Sequence, residues 1–87
     1  MNPKQNPDVQ FRSFDEIVVL VNSPQATLHE LSRVASRIWE LCDGQNSVQD
    51  IASNIIQEYD VSEQQALSDI KELLNAMSQS GLVLYES

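Results

Sequence analysis

Between Leu31 and Val48 the chain packs a helix start, an apolar stripe, a glycine stop and a second helix start into eighteen residues. Ser32 stands where an N-cap belongs, because its hydroxyl can accept from the unpaired amides of a first turn. Val34, Ala35, Ile38, Trp39 and Leu41 or Cys42 then recur at helical spacing. Gly44 ends the run, since glycine enters the left-handed conformation cheaply. Ser47 caps the next helix, whose apolar face is Val48, Ile51, Ala52, Ile55 and Ile56. Two helices joined by a tight turn are therefore expected here.

The 87 residues suit one domain with one modest core. Residues 1–8 are polar with two prolines and read as a flexible N-terminal arm; residues 9–87 read as the single domain. All three prolines lie at or before Pro24, which leaves the rest of the chain free to be helical. The arm lacks the apolar centre of a signal peptide, and no later apolar run approaches a membrane span. One cysteine and one histidine build neither an intramolecular disulfide nor a four-ligand zinc site, so a cytoplasmic protein without metal or cofactor is expected. Formal charge is −8, from 13 acids against 5 bases, the wrong field for neutralising phosphates.

Val9 and Phe11 alternate with Gln10 and Arg12, the pattern of a half-buried strand. Ile17 to Val21 is a continuous aliphatic run between Asp15-Glu16 and Asn22-Ser23-Pro24, and suits a short strand covered on both faces. Ala26 to Leu31 reads as a third strand running straight into the Ser32 cap. The second helix is expected to end near Tyr59. Ser62 with Gln65 makes a capping-box pattern for a third helix, with Glu63 adding favourable charge at its start. That helix runs to Gly81, and Leu82 to Tyr85 reads as either a short closing strand or an extended tail.

The third helix carries more apolar surface than one packing contact needs. Leu67, Ile70, Leu74 and Met77 share one side, expected to face the core. Ala66, Asp69, Leu73 and Ala76 share an adjacent side, expected to face a groove. The order of elements predicts an α+β fold, winged helix-turn-helix-like, with three short antiparallel strands followed by three helices. In a winged-helix transcription regulator, the alternative reading, the third helix commonly reads DNA. Here it sets Glu63, Asp69 and Glu72 against the single Lys71, a face that repels phosphate.

Leu31-Ser32, Ala35, Ile38-Trp39 and Leu41-Cys42-Asp43-Gly44, followed by Ser47-Val48 and Ile51, resemble the ordered motifs of the PqqD family. These small domains are also described as RiPP recognition elements. Tyr59, Asp69-Ile70, Leu73-Leu74 and Gly81-Leu82-Val83 resemble its later positions. The likeness covers roughly the last two thirds of the chain, and its specificity lies in order and spacing rather than in any one piece. Ser32 stands where the family usually has Asn, a difference either residue's capping ability absorbs.

The resemblance implies a non-catalytic domain that binds the leader of a ribosomally made precursor peptide and presents it to a maturation enzyme. That enzyme is often a radical S-adenosylmethionine protein, with pyrroloquinoline quinone assembly as one setting and lasso-peptide maturation as another. It further implies a leader laid as an added strand along the third strand, with the third helix as the opposite wall. The strand wall is then Thr27, Leu28, His29, Glu30 and Leu31, and the helix wall Ala66, Asp69, Leu73 and Ala76. No nucleic acid or membrane partner is expected, and the protein is expected to be a monomer or weak homodimer.

Other chemistries fare worse. Cys42 falls on the buried side of a helix, where free cysteine behaves as a small apolar residue. His29 has no neighbouring Cys or acid-His cluster in sequence, so metal binding is disfavoured. Trp39 lies on the first helix's stripe and is expected in the core. Asp69 is either a boundary carboxylate or an acceptor for a bound peptide. An acyl carrier needs an exposed serine where a helix begins, and the nearest candidate, Ser68, lies inside a helix.

Overall fold

Ser32, Ser47 and Ser62 each cap a helix, with Oγ accepting from Ala35 N, Asp50 N and Gln65 N. The computed structural model that establishes this describes residues 2–22 and 27–86. The chain forms β1 (Asn2–Gln5), β2 (Gln10–Phe14), β3 (Ile17–Asn22) and β4 (Thr27–Glu30). Helices α1 (Arg33–Leu41), α2 (Val48–Glu58) and α3 (Glu63–Gln79) follow, and β5 (Val83–Glu86) closes the order. This is the expected α+β layout of three antiparallel strands and then three helices, with one addition at each end. The expected turn at Asn22-Ser23-Pro24 and the strand start at Ala26 lie, past Asn22, outside the described residues. The side chains of Thr27 and His29 are likewise outside them.

β2, β3 and β4 form a meander in that order, with Phe14 opposite Ile17 and Leu20 opposite both Phe11 and His29. Their first hairpin turns on Asp15 at φ 55°, a left-handed conformation that Asp tolerates better than most residues. Side chains alternate across the sheet. Val18 and Leu20 are buried on one face, where α1 packs, while Ile17, Val19 and Val21 are half-buried on the other.

The flexible arm expected over residues 1–8 is, from Asn2 to Gln5, a strand. β1 pairs antiparallel with β5, and Pro3 is fully buried opposite Tyr85. Its other side is stitched to the α1–α2 turn: Gln5 N donates to Cys42 O at 2.9 Å and Gly44 N to Pro3 O at 3.1 Å. Gly44 holds φ 83°, so its amide reaches Pro3 at little conformational cost. The same pairing makes Val83–Glu86 a closing strand rather than a tail.

The core joins Val18 and Leu20 to Ile38 and Trp39 of α1, Ile51 and Ile55 of α2, and Ile70, Leu74 and Met77 of α3. Trp39 is fully buried, as expected, and meets the Phe11 ring edge-on at 5.7 Å. The capping box expected at Ser62 is half made, because Gln65 turns its amide to Asp69 instead. The complete box forms at Ser47, where Asp50 Oδ2 accepts from Ser47 N.

Among the described residues, Ser36 is a hydroxyl fully enclosed by this core. Ser36 Oγ accepts from Val18 N at 2.8 Å and donates to Leu31 O at 3.4 Å, while Leu31 N donates to Val18 O at 2.9 Å. The start of β3, the end of β4 and the middle of α1 meet at one hydroxyl. Ser36→Ala leaves the buried Val18 N–H without its partner. Denaturant melts should show it less stable by about 1–3 kcal/mol, whereas exposed Ser53→Ala should change little.

Cys42 is fully buried, donates its thiol to Ile38 O at 3.2 Å, and has its pKa pushed up to about 12, chiefly by burial and then by Asp43. The thiol therefore stays protonated in the folded chain at pH values where an unfolded thiol, with a pKa of about 8.5, ionises. Between those values the unfolded state binds fewer protons, so this group's contribution to stability is full below about pH 8.5 and is lost as pH rises toward 12. Cys42→Ala should remove that alkaline slope in melts, and the native thiol should react with thiol reagents at pH 8 only on unfolding.

Candidate functional site

Only two residues separate β4 from α1, so the first turn of α1 emerges directly beside the end of the strand. α3 packs on α2 and β5, which turns its Asp69–Leu73 flank toward that same first turn. A groove of about 260 Å³ results, lined by the Ser32 cap, by Val34, Ala35 and Ile38 from α1 and by Asp69 and Leu73 from α3. Hollows of about 350 and 330 Å³ lie at β1 and along β2, but the α1–α3 groove is the most apolar of the three.

Beside the groove runs a strand with one free edge. β4 pairs with β3 and, among the described residues, with no other strand. The Leu31 amide points to β3, bonded to Val18 O. Alternation along an antiparallel ladder then turns the His29 and Thr27 amides to β3 as well, and leaves those of Leu28 and Glu30 facing the open edge. The Leu28 side chain is 67% exposed, an unusual condition for a leucine on a short strand.

The expected site residues divide accordingly. Thr27, Leu28, His29 and Glu30 form β4, and Leu31, half-buried, carries the chain into the Ser32 cap. Asp69 and Leu73 line the groove together. Ala76, although exposed, lies outside the lining one turn further along α3. Ala66 is a correction: it is 2% exposed and belongs to the core with Ile70, Leu74 and Met77, while Leu67 is only half-buried. Core-facing and groove-facing positions on a helix differ by one residue's rotation of about 100°. The apolar stripe alone does not say which neighbour turns inward.

The sequence reading also missed a wall. Val34 and Ala35 belong to the apolar stripe of α1 and were assigned to no site, yet both line the groove and Val34 is 36% exposed there. Their place in the first turn after the cap was the available signal. Asp69 is exposed and accepts from Gln65 Nε2 at 2.9 Å, which fixes its carboxylate at the groove's rim. Among the described residues no group of three or more His, Cys, Asp and Glu is placed to hold a metal ion. No described helix is long and apolar enough to cross a membrane.

An antiparallel meander whose β4 edge, unpaired among the described residues, lies beside an apolar groove, backed by three helices, defines a small α+β domain. The family model for coenzyme PQQ synthesis protein D (PqqD) matches residues 18–83, and the chain belongs to that family. Among solved structures it resembles TbiB1 in complex with the TbiA(beta) leader peptide, at 27% identity over 97% of this chain and 98% of that one, with a TM-score of 0.86. It shares the fold of lasso peptide synthetase B1 complexed with its leader peptide, at 23% identity over 97% and 99% of the two chains and a TM-score of 0.85. The PqqD truncation of Methylobacterium extorquens PqqCD, a functional and stand-alone RiPP recognition element, matches at 26% identity over 94% and 87% of the chains, with a TM-score of 0.76. No curated protein matches the chain significantly.

The two faces of α3 are separable by mutation. Leu74 is 1% exposed and Leu73 half-buried at the groove. Leu74→Ala should cost about 2–5 kcal/mol in urea melts, and Leu73→Ala clearly less, because a groove position leaves no enclosed cavity. Equal losses would place Leu73 in the core.

Proposed function

We propose that the chain is a non-catalytic recognition domain that takes the leader of a ribosomally made precursor peptide as a strand added to β4 and presents it to a modifying enzyme. The observation that carries this reading is the free edge of β4 lying beside the apolar α1–α3 groove. Strand addition supplies backbone hydrogen bonds that do not depend on sequence, and a neighbouring pocket supplies selection through alternate side chains. Both parts are present within a few residues of each other. The likeness to two proteins solved with leader peptides supports the same assignment.

In this role the outward amides of Leu28 and Glu30 pair with the leader, and a leader side chain of aliphatic or small aromatic size fits among Val34, Ala35, Ile38 and Leu73. Asp69 at the rim suits a Lys or Arg on the leader. The buried Cys42 thiol leaves the chain's one cysteine without access to a substrate. The acidic exposed side of α3, with Glu63, Asp69 and Glu72 against Lys71, disfavours the regulator reading.

Titration with leader peptides from precursor genes adjacent to the chain's own gene tests the proposal. Backbone shifts should concentrate on residues 28–31 and on the Asp69–Leu73 flank. Leu28→Pro deletes an outward donor and should weaken binding by about 1–2 kcal/mol while the fold holds, as proline is tolerated on an edge. His29→Pro deletes a donor assigned to β3 and should lower stability instead. Shifts confined to the α1–α2 turn and α2 would refute the site.

A further inference from the structure

The face of the meander turned away from α1 is largely apolar, with Gln10, Arg12 and Glu30 as its polar members. Phe14, Ile17, Val19, Val21 and Leu28 all project from it by strand alternation and register, with Phe14 59% and Leu28 67% exposed. An antiparallel sheet with one face in water ordinarily alternates apolar with polar residues. β3 does not alternate: Ile17-Val18-Val19-Leu20-Val21 is apolar on both sides, yet α1 covers only Val18 and Leu20. Five apolar side chains on a three-stranded sheet form a patch of the kind that marks a protein interface.

Charge selects among occupants. The chain carries −8; at the patch Arg12 and Glu30 flank Val19 on the same face, Asp15 lies at its hairpin end, and Glu16 beside it is paired with Arg33 at 2.9 Å. Two copies, each carrying −8, repel one another overall, which opposes self-association. A partner whose own apolar patch is ringed by Lys and Arg meets complementary charge. The patch is also continuous with the proposed leader site, because Leu28 belongs to both the exposed face and the open edge. A body seated on the face would lie against the outward side chains of a strand added to β4.

We infer that this face is the docking surface for the modifying enzyme, through an apolar patch on that enzyme bordered by basic residues. The inference rests on the leader-binding reading above. It adds that the chain holds the leader by one edge of its sheet and the enzyme by the exposed face, so one sheet brings the two together.

The test uses the full chain, its leader peptide and the purified modifying enzyme encoded beside the precursor. Phe14→Ser lies two strands from the β4 edge, and Val19→Thr keeps the branched shape a strand favours; circular dichroism and leader affinity verify each variant's fold. Leader affinity should match the unsubstituted chain, while enzyme affinity falls about tenfold or more for Phe14→Ser. Added salt should weaken the enzyme complex of the unsubstituted chain. Unchanged enzyme affinity in the folded Phe14→Ser and Val19→Thr variants overturns the docking surface. So does sedimentation showing a dimer of the unsubstituted chain that Phe14→Ser dissociates, since a second copy would then occupy the face. Failure of the unsubstituted chain to bind leader refutes the earlier reading and is read out separately.

Discussion

The Ser36 hydroxyl is the polar point on which the arrangement of sheet and helices turns. It accepts from Val18 N at the start of β3 and donates to Leu31 O just past β4, so a single side chain of α1 ties the helix to two strands of the sheet. A buried amide without a partner is costly, and the serine can satisfy Val18 only from this position. The consequence reaches the site. With Leu31 fastened to both Val18 and Ser36, β4 has no freedom to slide along β3, and a one-residue slip would exchange the outward amides of Leu28 and Glu30 for those of Thr27 and His29. The alignment of the open edge with the first turn of α1 follows from that fixed register.

What the sequence discloses is what side chains decide locally. The three serine caps, the glycine after α1 and the aliphatic run of β3 each have one cheap conformation, so helices and meander are legible by inspection. β1 is not. Its residues Asn-Pro-Lys-Gln show no alternation, and it is held by main-chain bonds to β5, Cys42 and Gly44, by burial of Pro3, and by Asn2 and Gln5 side chains donating to Gly44 O and Trp39 O, with partners some thirty to eighty positions away. Backbone pairing over such separations leaves no mark in composition. Ser36 was equally silent, because a serine amid Val34, Ala35, Ile38 and Trp39 looks like a gap in the stripe until the Val18 amide is seen to need it.

The site was half legible for a related reason. Asp69 and Leu73 share the groove as their spacing implies, but Ala66 turns into the core and Leu67 packs only half-buried against it. A helix packs at a distance set by the side chains at the contact, and an alanine facing inward lets the backbones approach. Ala66 on α3 and Ala52 on α2 are both buried, in keeping with the close packing of those two helices. The larger Leu67 is displaced to the flank. The α1 wall was missed because amphipathicity reports one apolar stripe and is blind to its division: the far half of the α1 stripe reaches the core, and its first turn opens on the groove.

Asp69 shows how such a groove can discriminate without depending on charge for its hold. Gln65 could have closed a capping box with the Ser62 amide, as Asp50 does for Ser47, but it donates to the Asp69 carboxylate at 2.9 Å instead. That bond restrains an exposed side chain and keeps its charge at the groove's rim. An ion pair made there stays wetted and is worth at most about 1 kcal/mol. Against the apolar contacts of Val34, Ile38 and Leu73 and the amides of β4, this is too little to hold a peptide. It is enough to rank two leaders of equal shape that differ by one basic residue, so in the proposed role the strand edge and the groove supply retention while Asp69 supplies preference.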